Sequence, residues 1–116
     1  MNRRTRAKMP EWLALKEHAA GMRRRHLRDL FAADPERGRR YSLRAEGIYL
    51  DYSKNPLSDE TMKLLFALAG ACGLQQETRR LFSGEEVNET ERRPALHWAL
   101  RDFSGGSLQV DGVDVM

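Results

Sequence analysis

Three histidines, one cysteine and two pairs of adjacent carboxylates are the groups in this sequence that could do chemistry. His18, His26 and His97 could ligate a metal or move protons. His18 and His26 lie eight residues apart, too far along a helix to share one ion, and the three together lack metal-ligand spacing. Structural or surface roles are expected for all three. Cys72 has no partner for an intramolecular disulfide, and its setting, "FALAGACG", predicts a buried, inert thiol. Asp59–Glu60 and Glu85–Glu86 could serve acid–base work, but carboxylates adjoining in sequence at the ends of elements read as solvated charge. "SGG" at 104–106 lacks the Lys-Ser/Thr that completes a phosphate-binding loop, and reads as a connection before a hairpin. Viewed alone, these residues do not add up to a catalytic, cofactor-binding or metal site, so the expected site residues of each kind are none.

Composition narrows the classes. A chain of 116 residues fits one domain, and 41% hydrophobic with 32% charged side chains is the balance of a folded, water-soluble protein. No apolar run approaches the roughly 18 residues that a membrane span requires, so no membrane is expected. The start, "MNRRTRAKMP", has no secretory apolar segment, and Glu11 and Glu17 argue against a transit peptide, which predicts a cytoplasmic location. Charge is uneven. Residues 1–44 hold 13 basic and 5 acidic side chains, whereas residues 45–116 hold 7 and 12. The run "RRRHLR" at 23–28 could meet phosphates, but it lacks interleaved aromatics and any helix-turn-helix pattern. Nucleic acid is not the expected partner, and binding through residues 1–44 stands as a lesser alternative.

Hydrophobic spacing assigns the elements. Trp12, Leu15, Ala19, Met22 and His26 recur at helical steps behind Pro10, and Leu27, Leu30 and Phe31 follow up to a stop at Asp34-Pro35 and Gly38. Two helices, or one bent one, are predicted. Alternation then takes over: Tyr41, Leu43 and Ala45, a Glu46-Gly47 turn, and Ile48, Leu50 and Tyr52 predict a hairpin with one apolar face. Ser58 should cap a helix lined by Met62, Leu65, Phe66 and Ala69 and ended by Gly73. Another helix should turn Leu74, Thr78, Leu81 and Phe82 inward. Residues 88–102 are expected to form a capped helix with Pro94 in its first turn and Leu96, Ala99, Leu100 and Phe103 buried. Asp111-Gly112 signals a final hairpin. The expected class is α+β and predominantly helical, with four to five helices and two short β-hairpins.

The stretch "NETERRPALHWALR" resembles the pattern N-x-T-E-x-R-x-x-L-H-x-A-L-R of the glucose-6-phosphate isomerase family, at Asn88, Thr90, Glu91, Arg93, Leu96, His97, Ala99, Leu100 and Arg101. "LDYSKN" at 50–55 is similar to the family's V-D-Y-S-K-N, "LFSGEEVN" at 81–88 to its M-F-x-G-E-x-I-N, and "VDGVDVM" at 110–116 to its V-D-G-K-D-V-M. "WLALKEHAAGM" and "LRDLFAADPERG" resemble its opening segments. Pro94 and Trp98 depart from the family's commoner residues, and "DFSGGSLQ" stands where N-R-S-N-T-P is frequent.

The resemblance implies that residues 1–116 are the N-terminal segment of an isomerase whose later domains are α/β/α sandwiches. It implies interconversion of glucose 6-phosphate and fructose 6-phosphate through an enediol, in glycolysis and gluconeogenesis, without metal or cofactor. A Ser/Thr-rich phosphate loop, a His and Lys for ring opening and a proton-moving Glu belong to those later domains, and none maps onto this chain. Glu91 and His97, although within the motif, are given to structure. The implied partners are the remainder of the isomerase chain and, in the whole enzyme, the sugar phosphate and a second subunit. A stand-alone interaction module is the alternative.

Overall fold

The computed structural model describes residues 7–116. Residues 1–6, with the reading of the leader and the first part of the basic segment 1–44, lie outside the described residues. Two compact units divide the chain, one ending at Cys72 and the other beginning at Gly73. The class is the expected one: helical α+β with two antiparallel two-stranded hairpins.

In the first unit, α1 spans Pro10–Met22, with Pro10 at its first position, where the absent N–H costs nothing. A tight turn follows, in which the Arg25 amide donates to the Met22 carbonyl at 3.0 Å. Helix α2 covers Leu27–Ala33 and α3 covers Arg37–Arg40. The first forty residues thus hold three described helices rather than one or two, because Gly38 lies within α3 instead of ending α2. Hairpin strands β1 (Ser42–Ala45) and β2 (Ile48–Asp51) pair with Ala45 opposite Ile48. Glu46 and Gly47 both have positive φ, 48° and 75°, the backbone of the two-residue turn foreseen there.

Helix α4, Asp59–Ala71, opens with a reciprocal capping box: the Ser58 amide donates to Thr61 Oγ1 at 2.9 Å and the Thr61 amide to Ser58 Oγ at 3.3 Å. It packs on α1. Of its predicted inward residues Met62 and Ala69 are half-buried, but Leu65 and Phe66 are exposed, and Thr61, Leu64 and Leu68 complete the half-buried face in their place. Met22, Leu30, Tyr41 and Leu57 form the buried core of this unit around Arg37 and Ser53.

The second unit begins at Gly73, whose φ of 70° ends α4 and starts α5, Leu74–Phe82. Of the four side chains predicted inward on α5, only Leu81 is half-buried; Leu74, Thr78 and Phe82 are exposed. The Trp98 indole donates to the Leu81 carbonyl at 3.1 Å and meets the Phe82 ring edge-on at 5.0 Å. Strands β3 (Gln109–Val110) and β4 (Val113–Asp114) close around Asp111-Gly112, both at positive φ, as the sequence indicates.

No helix is formed over 88–102. Asn88 and Arg93 instead bridge as an antiparallel pair, with amide–carbonyl distances of 3.1 and 3.3 Å. Arg92 adopts a positive φ of 55°, and Pro94 biases Arg93 away from helical backbone. Together these residues prevent helix nucleation, and only a 3₁₀ turn, Ala99–Arg101, remains. Ala99 is buried, but Leu100 is 81% exposed and Phe103 93%, so the predicted buried stripe does not exist.

Candidate functional site

A hydroxyl–imidazole pair lies between α1 and α4. His18 Nε2 is 2.7 Å from Thr61 Oγ1, beside a cleft of about 250 Å³ lined by Leu15, Ala19, Met22 and Pro56. An activated hydroxyl needs its lone pair directed at substrate. Here Thr61 Oγ1 is occupied by the capping box and by His18, so the imidazole ties α1 to the first turn of α4. His26 also serves structure: its Nδ1 accepts from the Arg28 amide at 3.2 Å and caps α2. His97 is exposed in the second unit. Among the described residues, no group of three His, Cys, Asp or Glu side chains could hold a metal ion. Cys72, expected to be buried, is half-buried at the end of α4.

The strongest polar constellation was invisible in the sequence. Arg37, 2% exposed, reaches from α3 into the turn after β2. Its Nε donates to the Ser53 carbonyl at 2.8 Å, and Nη2 donates to the carbonyls of Asn55 and Leu57 at 2.9 Å each. The guanidinium lies 4.6 Å from the Tyr41 ring centroid and 5.6 Å from that of Phe31. Asp51 completes the turn, accepting from the Ser53 hydroxyl at 2.6 Å and amide at 2.9 Å. The segment Asp51–Leu57, which contains most of "LDYSKN", is thereby held from both ends. One arginine among many gave no sign of this; only the flanking aromatics, Phe31 and Tyr41, could have hinted at it.

Asn88 organises the other motif. Its Oδ1 accepts from the Thr90 hydroxyl at 2.8 Å and the Glu91 amide at 3.3 Å, while its amide nitrogen donates to Glu91 Oε2 at 3.1 Å. Asn88, Thr90, Glu91 and Arg93 therefore build a closed loop. Arg101 donates to the His97 carbonyl at 2.8 Å and ties the following turn.

Electrostatics point the same way. Tyr41 and Arg40 donate to Asp59 at 2.6 Å each, and these bonds hold its carboxyl below the ordinary range. Ser53 does the same for Asp51. Arg80, followed by Ser83, lowers Glu85. Burial, reinforced by Asp59, raises the Tyr41 phenol. The paired carboxylates diverge: Asp59 faces Tyr41 and Arg40, while Glu60 pairs with Lys63 at 3.7 Å. Glu85 is bound by Arg80 at 3.0 Å. Within the basic segment, Arg37 is withdrawn into the core, Arg39 pairs with Glu36, and Arg40 joins Asp34 and Asp59. Among the described residues, no helix is long and apolar enough to cross a membrane.

Comparison with known proteins gives these features a setting. The family model described as phosphoglucose isomerase matches residues 51–116, more than half of the chain. Glucose-6-phosphate isomerase 1 of Chromobacterium violaceum is 48% identical over 108 residues, which are 93% of this chain and 20% of that protein. The Frankia casuarinae glucose-6-phosphate isomerase is 51% identical over 106 residues, 91% of this chain and 19% of the relative. That of Roseiflexus castenholzii is 50% identical over 108 residues, 93% and 20% respectively. The chain spans about a fifth of the length of these relatives, in their amino-terminal part. With its buried-arginine turn and Asn88 loop built on the stretches that carry the resemblance, the chain belongs to the phosphoglucose isomerase family.

Proposed function

We propose that residues 1–116 are the amino-terminal scaffold of a cytoplasmic glucose-6-phosphate isomerase, a single structural contribution to an enzyme whose catalytic groups lie in the part this chain does not span. The observation that carries this reading is the match along more than nine-tenths of the chain to only a fifth of each relative. The reaction assigned to the whole enzyme is the interconversion of glucose 6-phosphate and fructose 6-phosphate through an enediol, as in glycolysis and gluconeogenesis. No residue of this chain is given a catalytic, cofactor or metal role. The whole enzyme is a homodimer in this reading.

The side chains support such a division of labour. His18, Arg37, Asp59 and Asn88 each spend their polar atoms on fixing turns and helix starts. Leu100 and Phe103 present bare apolar surface of the kind that further protein covers.

A chimera tests the reading. Replacing the matching fifth of the Chromobacterium violaceum relative with this chain should give a folded protein with isomerase turnover. A folded chimera without turnover contradicts it.

A further inference from the structure

Among the described residues, nothing covers one face of the hairpin β1–β2. Its register places Leu43 opposite Leu50 and Ala45 opposite Ile48, so these four side chains share one face. Leu43 is 56% exposed, Ile48 71% and Leu50 54%. The other face is finished for water: the Arg44 guanidinium lies 5.0 Å from the Tyr49 ring centroid, and Ser42 stands opposite Asp51. Such alternation is the pattern of a sheet buried on one side. A two-stranded hairpin in water has little stability of its own, so its apolar face needs a partner surface.

We infer that the Leu43–Ala45–Ile48–Leu50 face is a docking surface for apolar side chains of the isomerase polypeptide beyond the fifth represented by this chain. The inference rests on the scaffold reading. The relatives extend about five times as far as this chain, and that length supplies the occupant. Strand β2 continues directly into the turn locked by Arg37, and the positive-φ turn residues Glu46 and Gly47 hold the register. The face is thus fixed in orientation before it meets its partner, which lowers the ordering cost of docking.

The test uses thiol labelling. Ile48→Cys and, on the opposite face, Tyr49→Cys are introduced with Cys72→Ser, both into the 116-residue chain and into the Chromobacterium violaceum chimera. Alkylation is read at the introduced position by mass spectrometry. Ile48→Cys should react about tenfold or more slowly in the chimera than in the 116-residue chain, while Tyr49→Cys should react alike in both. Equal rates at position 48 overturn the inference. Slowing in the 116-residue chain that deepens with protein concentration assigns the face to a second copy, and also overturns it. An active chimera with an open face defeats the docking surface alone; a protected face in an inactive chimera defeats the isomerase reading alone. Leu50→Cys supplies the same comparison if Ile48→Cys prevents folding.

Discussion

Arg37 donates its Nε proton to the main-chain carbonyl of Ser53 at 2.8 Å, across sixteen residues and inside the first unit's core. The same guanidinium satisfies two further carbonyls, so a whole turn depends on one side chain. Arg37→Met should therefore cost about 3 kcal/mol, because three acceptors lose a charged donor in a buried setting. Arg37→Lys should recover only part of this, since an ammonium lacks the planar fork. Urea denaturation checks both; unchanged midpoints would remove the arginine from the account.

Acid should weaken the first unit. The folded pKa values of Asp51 and Asp59 are lowered from 3.8 by their donors, so the ionised forms favour folding. Their contribution is complete above that unfolded value and is lost as pH falls through the folded values. The urea midpoint should fall as pH drops below about 4. Asp59→Asn should flatten that fall, and an unaltered pH profile in the variant would contradict the assignment.

Much of the fold is legible because it is local. Two residues of suitable type define each hairpin turn, and Ser58 and Gly73 bracket α4 by side-chain and backbone chemistry available within a few positions. The stretch after Asn88 fails for the opposite reason. Its apolar spacing suits a helix, yet a left-handed Arg92, a following Pro94 and the Asn88–Arg93 bridge override that spacing. Arg37 is hidden for a third reason: its partners are main-chain carbonyls, which every residue carries and no sequence pattern marks. The candidate site is correspondingly legible through whole-motif resemblance and not through any single residue.

The Asn88 loop gives a distinct prediction. Asn88→Ala removes acceptors for Thr90 and Glu91 and a donor to Glu91, and should destabilise the second unit by about 1 kcal/mol. Amide exchange at Glu91 and Arg93 should accelerate in the variant. Continuous helical NMR contacts across 88–102 in the parent chain would refute the loop.

Two glycines should respond differently to a methyl group. Gly47 and Gly84 both sit at positive φ, 75° and 77°. A Cβ at Gly47 would meet nothing within 4 Å, whereas at Gly84 it would stand 3.0 Å from Val110 Cγ2. Gly47→Ala should cost about 1 kcal/mol from backbone strain alone, and Gly84→Ala about 2 kcal/mol or more because contact is added. Equal costs by denaturation would show that Gly84 has no such neighbour.

The most direct test of the scaffold claim is an isomerase assay on the purified 116-residue chain, prepared from a host lacking its own isomerase, beside the chimera. The account predicts no conversion of glucose 6-phosphate by the chain and measurable conversion by the chimera. Turnover by the 116 residues alone would contradict it.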